Sequence, residues 1–138
     1  MEAKEILTPK NMFLALGTIV IVMSFYGMAN GDEWAEYGWG EDNVLAHDEA
    51  YEEMWALHLM PLGVMAMITG MVVTGKELAR MAMFSPVVLV ILAVGMTVLA
   101  SDNGYSTDPP GGISGILGGI MMIAVILTCV SGFMHKDE

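Results

Sequence analysis

A chain of 138 residues that is 55% hydrophobic and only 15% charged does not resemble a soluble domain, which carries about 25% charged residues. Its net charge of −11, from 16 acidic against 5 basic residues, excludes nucleic acid as a partner, because phosphate binding needs a basic face. The length fits a single domain, and a lone cysteine, Cys129, excludes an intramolecular disulfide.

The first apolar segment runs from Met12 to Ala29, behind Lys4 and Lys10. It resembles a secretory leader ending in the small residues Gly27-Met28-Ala29, but its apolar run exceeds the ~7–15 residues of a leader. It is therefore expected to be retained as a first membrane span.

The stretch GDEWAEYGWGEDNVLAHDEAYEE follows, with nine carboxylates between Asp32 and Glu53 and no lysine or arginine. Trp34, Tyr37, Trp39, Tyr51 and Trp55 suit the outer headgroup level, where amphipathic rings collect. Asp42 and Asn43 are expected to cap a helix that starts near Val44 and continues into the second span, Met54–Thr74. Such a helix is about 45 Å long, so its start would stand above the ~30 Å of hydrocarbon as an acidic stalk. Along the stalk, Asp48/Glu52 and Glu49/Glu53 are like-charge pairs at helical spacing, each costing a few tenths of a kcal/mol. A basic surface on a partner protein would relieve that cost, as would a divalent cation, so Asp48, Glu49, Glu52 and Glu53 are the expected docking residues. The segment lacks the oxygen spacing and central glycine of a calcium loop.

In the second span, Met54, His58 and Met65 share a helix face, with His47 about 16 Å above on nearly the same meridian. Imidazole with thioether sulfur suits copper(I), and imidazole also ligates haem, so these four are the candidate metal residues. The plainer reading is a histidine reaching for water or a carbonyl among abundant methionines, 15 in the chain. Pro61 frees the carbonyl of Leu57 and predicts a bend.

Gly75 is expected to end the second span, and Glu77–Met83 to lie along the surface. Ser85-Pro86 reads as a helix start inside the third span, about Met81–Ala100. Asn103-Gly104 and Asp108-Pro109-Pro110-Gly111 are turn chemistry. The fourth span, Ile113–Met134, opens with Gly111, Gly115 and Gly119 at four-residue spacing, beside Ser114 and Gly118. That pattern predicts a close helix contact, whereas the isolated Gly17 is expected to tolerate a large side chain.

With four spans, the termini and the link between the second and third share one side. That side holds Lys4, Lys10, Lys76, Arg80 and Lys136, and the acidic Glu2, Glu5, Glu77, Asp137 and Glu138. The other side receives the remaining eleven carboxylates and no basic residue. The positive-inside rule then predicts a multi-pass cell-membrane protein with cytoplasmic N- and C-termini and extracytoplasmic acidic loops.

No nucleophile–base spacing, glycine-rich phosphate loop or Glu-x-x-His pair is present, and the span interiors carry no ionisable group. These patterns argue against an enzyme and against a pump or coupled transporter. Small membrane chains with acidic loops and methionine-rich spans resemble the supernumerary subunits of respiratory and copper-containing monooxygenase complexes. That resemblance implies an accessory, structural or assembly subunit, with the lipid bilayer and other membrane subunits as its partners. A membrane metal-handling protein and a small channel-like permeation module are the other readings. No cofactor is required by the sequence, copper and haem being the candidates.

Overall fold

The computed structural model describes residues 3–108 and 110–138, all of whose regular elements are helical. Glu2 and Pro109 lie outside the described residues. A short helix α1, Ala3–Ile6, precedes α2, Pro9–Ala29. The start of α2 is set by Thr8, whose Oγ1 accepts the Asn11 N–H at 3.2 Å, and by Pro9, whose missing N–H is no loss in the first turn. The span thus begins a turn earlier than Met12. Asn30, at φ −139° and ψ 44°, breaks the chain into α3, Gly31–Trp39. Gly40 (φ +82°) leads into a 3-10 turn, Glu41–Asn43.

Helix α4 spans Asp48–Val72. It begins four residues later than Val44, because Asp42 and Asn43 belong to the 3-10 turn and cannot cap it. Asp48 instead closes the preceding turn on itself, its Oδ2 accepting the Leu45 N–H at 2.7 Å. The 25 residues of α4 measure about 38 Å and continue unbroken through Pro61. Gly75, at φ +59°, opens α5, Gly75–Met83, and does not close α4. Helices α5 and α6, Ser85–Asn103, meet at Phe84, a turn residue with near-helical backbone. Ser85 does not cap α6; its Oγ donates to Ala82 O at 2.8 Å and lies 3.3 Å from Val125 O. Helix α7 is Gly112–Met134. Four stretches, Pro9–Ala29, Asp48–Val72, Gly75–Asn103 and Gly112–Met134, are long and apolar enough to cross a membrane.

The tightest packing is between α2 and α4. Lys10 faces Gly70, Gly17 faces Gly63, Ser24 faces Ala56, and just past α2, Gly31 faces Glu49. Successive pairs are seven residues apart in each segment and run antiparallel, so Gly17, Ser24 and Gly31 on one side and Ala56, Gly63 and Gly70 on the other keep small residues at the contact. At Gly17 an added Cβ would stand 2.6 Å from Gly63 O, and at Gly63 it would stand 2.9 Å from Gly17 O. Ser24 spends its hydroxyl inside the seam, donating to Ala56 O at 2.7 Å. Gly17, expected to be indifferent, is therefore at the closest helix approach.

Around this pair, α7 packs on α2 through Leu16, Ala124 and Val125. It meets α5 at Gly132, where an added Cβ would come 2.5 Å from Ala79 O. Leu78 and Ala82 of α5 bury against Phe13, while Lys76, Glu77 and Arg80 stay exposed. Helix α6 sits at the margin, with Ala100 its single buried residue. An ion pair between Lys4 and Glu138 joins the two chain ends, and Lys4 holds the Glu138 carboxyl below the usual range. Thr8, Thr74 and Gly75 border the same pocket as His135 and Glu138, so the α4–α5 link lies at that end too. At the opposite end of the bundle, Ser106 N–H donates to Gly38 O at 2.7 Å, tying the second loop to α3.

Candidate functional site: a capped cavity at the acidic end

The acidic segment is a folded cap, not a loop. Trp34 wedges α3 against the bundle: a Cβ added at Gly27 would meet its ring at 2.5 Å and Ala56 Cβ at 2.7 Å. The Trp34 indole N–H donates to Ser114 Oγ at 3.0 Å, and Ser114 donates to Glu33 Oε1 at 3.2 Å. Glu33 Oε2 accepts the Tyr26 hydroxyl at 2.7 Å. One carboxylate thus ties α2, α3 and α7 together.

A second tie comes from the α6–α7 loop. Gly104 takes the left-handed conformation (φ +76°, ψ +13°) that ends a helix, and the Tyr105 N–H reaches back to Ala100 O at 3.0 Å. This reversal lays the Tyr105 ring over Gly38, where an added Cβ would sit 2.2 Å from the ring. Trp39 meets the same ring edge-on at 5.2 Å. The Tyr105 hydroxyl donates to Glu52 Oε1 at 2.9 Å. Burial and the neighbouring Glu52 charge push the Tyr105 phenol far above its ordinary range, so it stays a neutral donor at any physiological pH.

Between this cap and helices α4, α6 and α7 lies a cavity of about 530 Å³. Gly111, just before α7, and Gly118 within it line the cavity, and among the described residues a Cβ at either would meet nothing within 4 Å. The space therefore exists partly because α7 has no side chains there.

The residues singled out in the sequence separate into several places. Asp48 (5% exposed) and Glu52 (8%) turn into the fold, whereas Glu49 and Glu53 face outward. The expected four-carboxylate docking face is therefore halved, because α3 and Tyr105 cover its inner side. His47 stands 3.6 Å from Asp48 and packs its ring edge-on against Tyr51 at 5.2 Å. His58 Nδ1 lies 2.5 Å from the Met54 carbonyl of its own helix, and Met54 and Met65 are exposed. Among the described residues no three of His, Cys, Asp or Glu gather as a metal set. Of the glycine face, among the described residues a Cβ added at Gly111 or Gly119 would meet nothing within 4 Å, and one at Gly115 would meet the Pro110 carbonyl of the preceding loop.

Sequence reasoning did not find the Tyr26–Glu33–Ser114 network or the Tyr105–Glu52 tie, since their members converge from separate elements. The seam did carry a signal: Gly17, Ser24 and Gly31, and Ala56, Gly63 and Gly70, each recur at seven.

Fold and site together define an all-helical protein with four helices able to cross a membrane and a capped, carboxylate-bearing cavity at one end of the bundle. Comparison with protein-family models, curated proteins and solved structures finds no match to this chain.

Proposed function

We propose that this chain is a non-catalytic accessory subunit of a larger membrane assembly, oriented with its acidic cap away from the cytoplasm. The observation that carries the reading is the bareness of α6. Of its 19 residues only Ala100 is buried, while α2 and α7 each bury six. A helix fully buried at one residue, with Leu89 partly buried against the α2–α7 core, leaves a broad apolar face for a partner's helix. On α7, Gly119, where an added Cβ meets nothing within 4 Å among the described residues, gives a place for close approach, which is what drives association in lipid.

Charge supports the orientation. All five basic residues belong to the segments at one end, and the cap carries Asp32, Glu36, Glu49 and Glu53 exposed with no cation among them. Such a surface steers a basic partner and raises its association rate more than its affinity. The channel-like reading is weaker, because the buried hydroxyls Ser24, Thr128 and Ser131 all donate to backbone carbonyls.

The test is a photoreactive residue at Ile91 or Val98 on α6, activated in native membranes. A protein adduct of one defined mass is expected. Adducts with lipid alone, at both positions, would contradict the proposal.

A further inference from the structure

The cavity under the acidic cap has a composition that selects its ligand. Glu33, Glu52 and Asp108 line it, and no lysine, arginine or histidine does. Its walls also carry four aromatic rings, those of Trp34, Tyr37, Trp55 and Tyr105. Carboxylates among aromatic faces attract a cation twice over, through charge and through the ring quadrupoles.

Glu52 is the residue that points to an occupant. It is 8% exposed, and Tyr105 satisfies only Oε1. Glu52 also lines the cavity, so its carboxylate faces whatever fills that space. A carboxylate this far removed from bulk water is stabilised by a cation placed beside it.

Size and lining decide between kinds of cation. A bare metal ion needs several oxygen, nitrogen or sulfur ligands converging at about 2–2.6 Å. No such set forms among the described residues, and a volume of about 530 Å³ lies in the range of small organic ligands. The α6 side of the cavity, including Ala93 and Met96, is apolar and calls for an apolar body. We infer that this cavity binds an organic cation, an ammonium group carrying an aromatic or aliphatic body, with the charge held between Glu52 and the aromatic rings.

The probe is benzyltrimethylammonium, titrated into the purified chain in uncharged maltoside micelles and followed by calorimetry and by tryptophan fluorescence. Benzyl alcohol serves as the neutral comparison. Saturable binding of the cation is expected, with benzyl alcohol weaker by about tenfold or more, the factor carried by about 1.4 kcal/mol. Glu52→Gln should weaken the cation by a similar factor, and the exposed Glu49→Gln should leave it unchanged. Gly118→Leu fills the cavity from a position with open space and should abolish binding while the chain stays folded. Absence of saturable binding, equal affinity for benzyl alcohol, or full binding by Gly118→Leu would each overturn the inference.

Discussion

At the scale of single residues, the acidic end is held by two aromatic hydroxyls and an indole, each spent on a carboxylate or on the serine bonded to one. Tyr105 is the most constrained of them, since a glycine must sit beneath its ring and another must turn the chain towards it. Gly38→Ala forces a methyl to within 2.2 Å of that ring, so the loop has to move. The expected loss is about 1–3 kcal/mol, the usual cost of overpacking, read as a lower melting midpoint in micelles. Tyr105→Phe keeps the ring contact and removes only the donor to Glu52, for an expected loss of about 1.5–3 kcal/mol because the acceptor is a carboxylate. If both variants melt like the wild type, the cap does not rest on this contact. His58 illustrates the opposite case. It is exposed, and its Nδ1 lies against the Met54 carbonyl of its own helix, so it ties no second element to the cap.

At the scale of elements, the α2–α4 seam and the α7 glycines exchange the roles that their spacing suggests. Gly17→Leu and Gly63→Leu place branched side chains against a facing backbone oxygen, whereas Gly119→Leu enters open space. The first two are expected to abolish a folded monomer, and the third to leave the monomer intact while lowering the yield of the larger assembly. Size-exclusion profiles in detergent separate these outcomes, and equal behaviour of Gly17→Leu and Gly119→Leu would refute the seam. The four long helices were legible in the sequence because runs of about 20 apolar residues have one use in lipid. The break at Phe84 and the amphipathic α5 were legible in Ser85-Pro86 and in the polar Lys76, Glu77 and Arg80. Helix α3 was not, since carboxylates and glycines read as loop, and what makes it a helix is the burial of Ala35 and the wedging of Trp34 from other elements. The same holds for Asp48 and Glu52: charge composition marks them as surface, and tertiary contact alone puts them inside.

At the scale of the whole molecule, charge and packing divide the bundle into two ends. The ion-paired termini and the α4–α5 link lie at one, and the cap with its cavity lies at the other. In a Cys129→Ala background, cysteines at Glu36 and Thr107 should label from outside intact cells, and one at Asp137 should not; all three replaced residues are exposed. Labelling at Asp137 would invert the orientation. Neutralising the exposed pair Glu49 and Glu53 should slow association with a partner, and added salt should reproduce the effect, because exposed charges are screened within about 8 Å at physiological ionic strength. The claim that the chain belongs to a larger assembly is tested most directly by native mass spectrometry of gently solubilised membranes. The account predicts this 14.9 kDa chain in a complex of defined stoichiometry with at least one other protein. Recovery of the chain only as a monomer with bound lipid, under conditions that keep other membrane complexes whole, would contradict it.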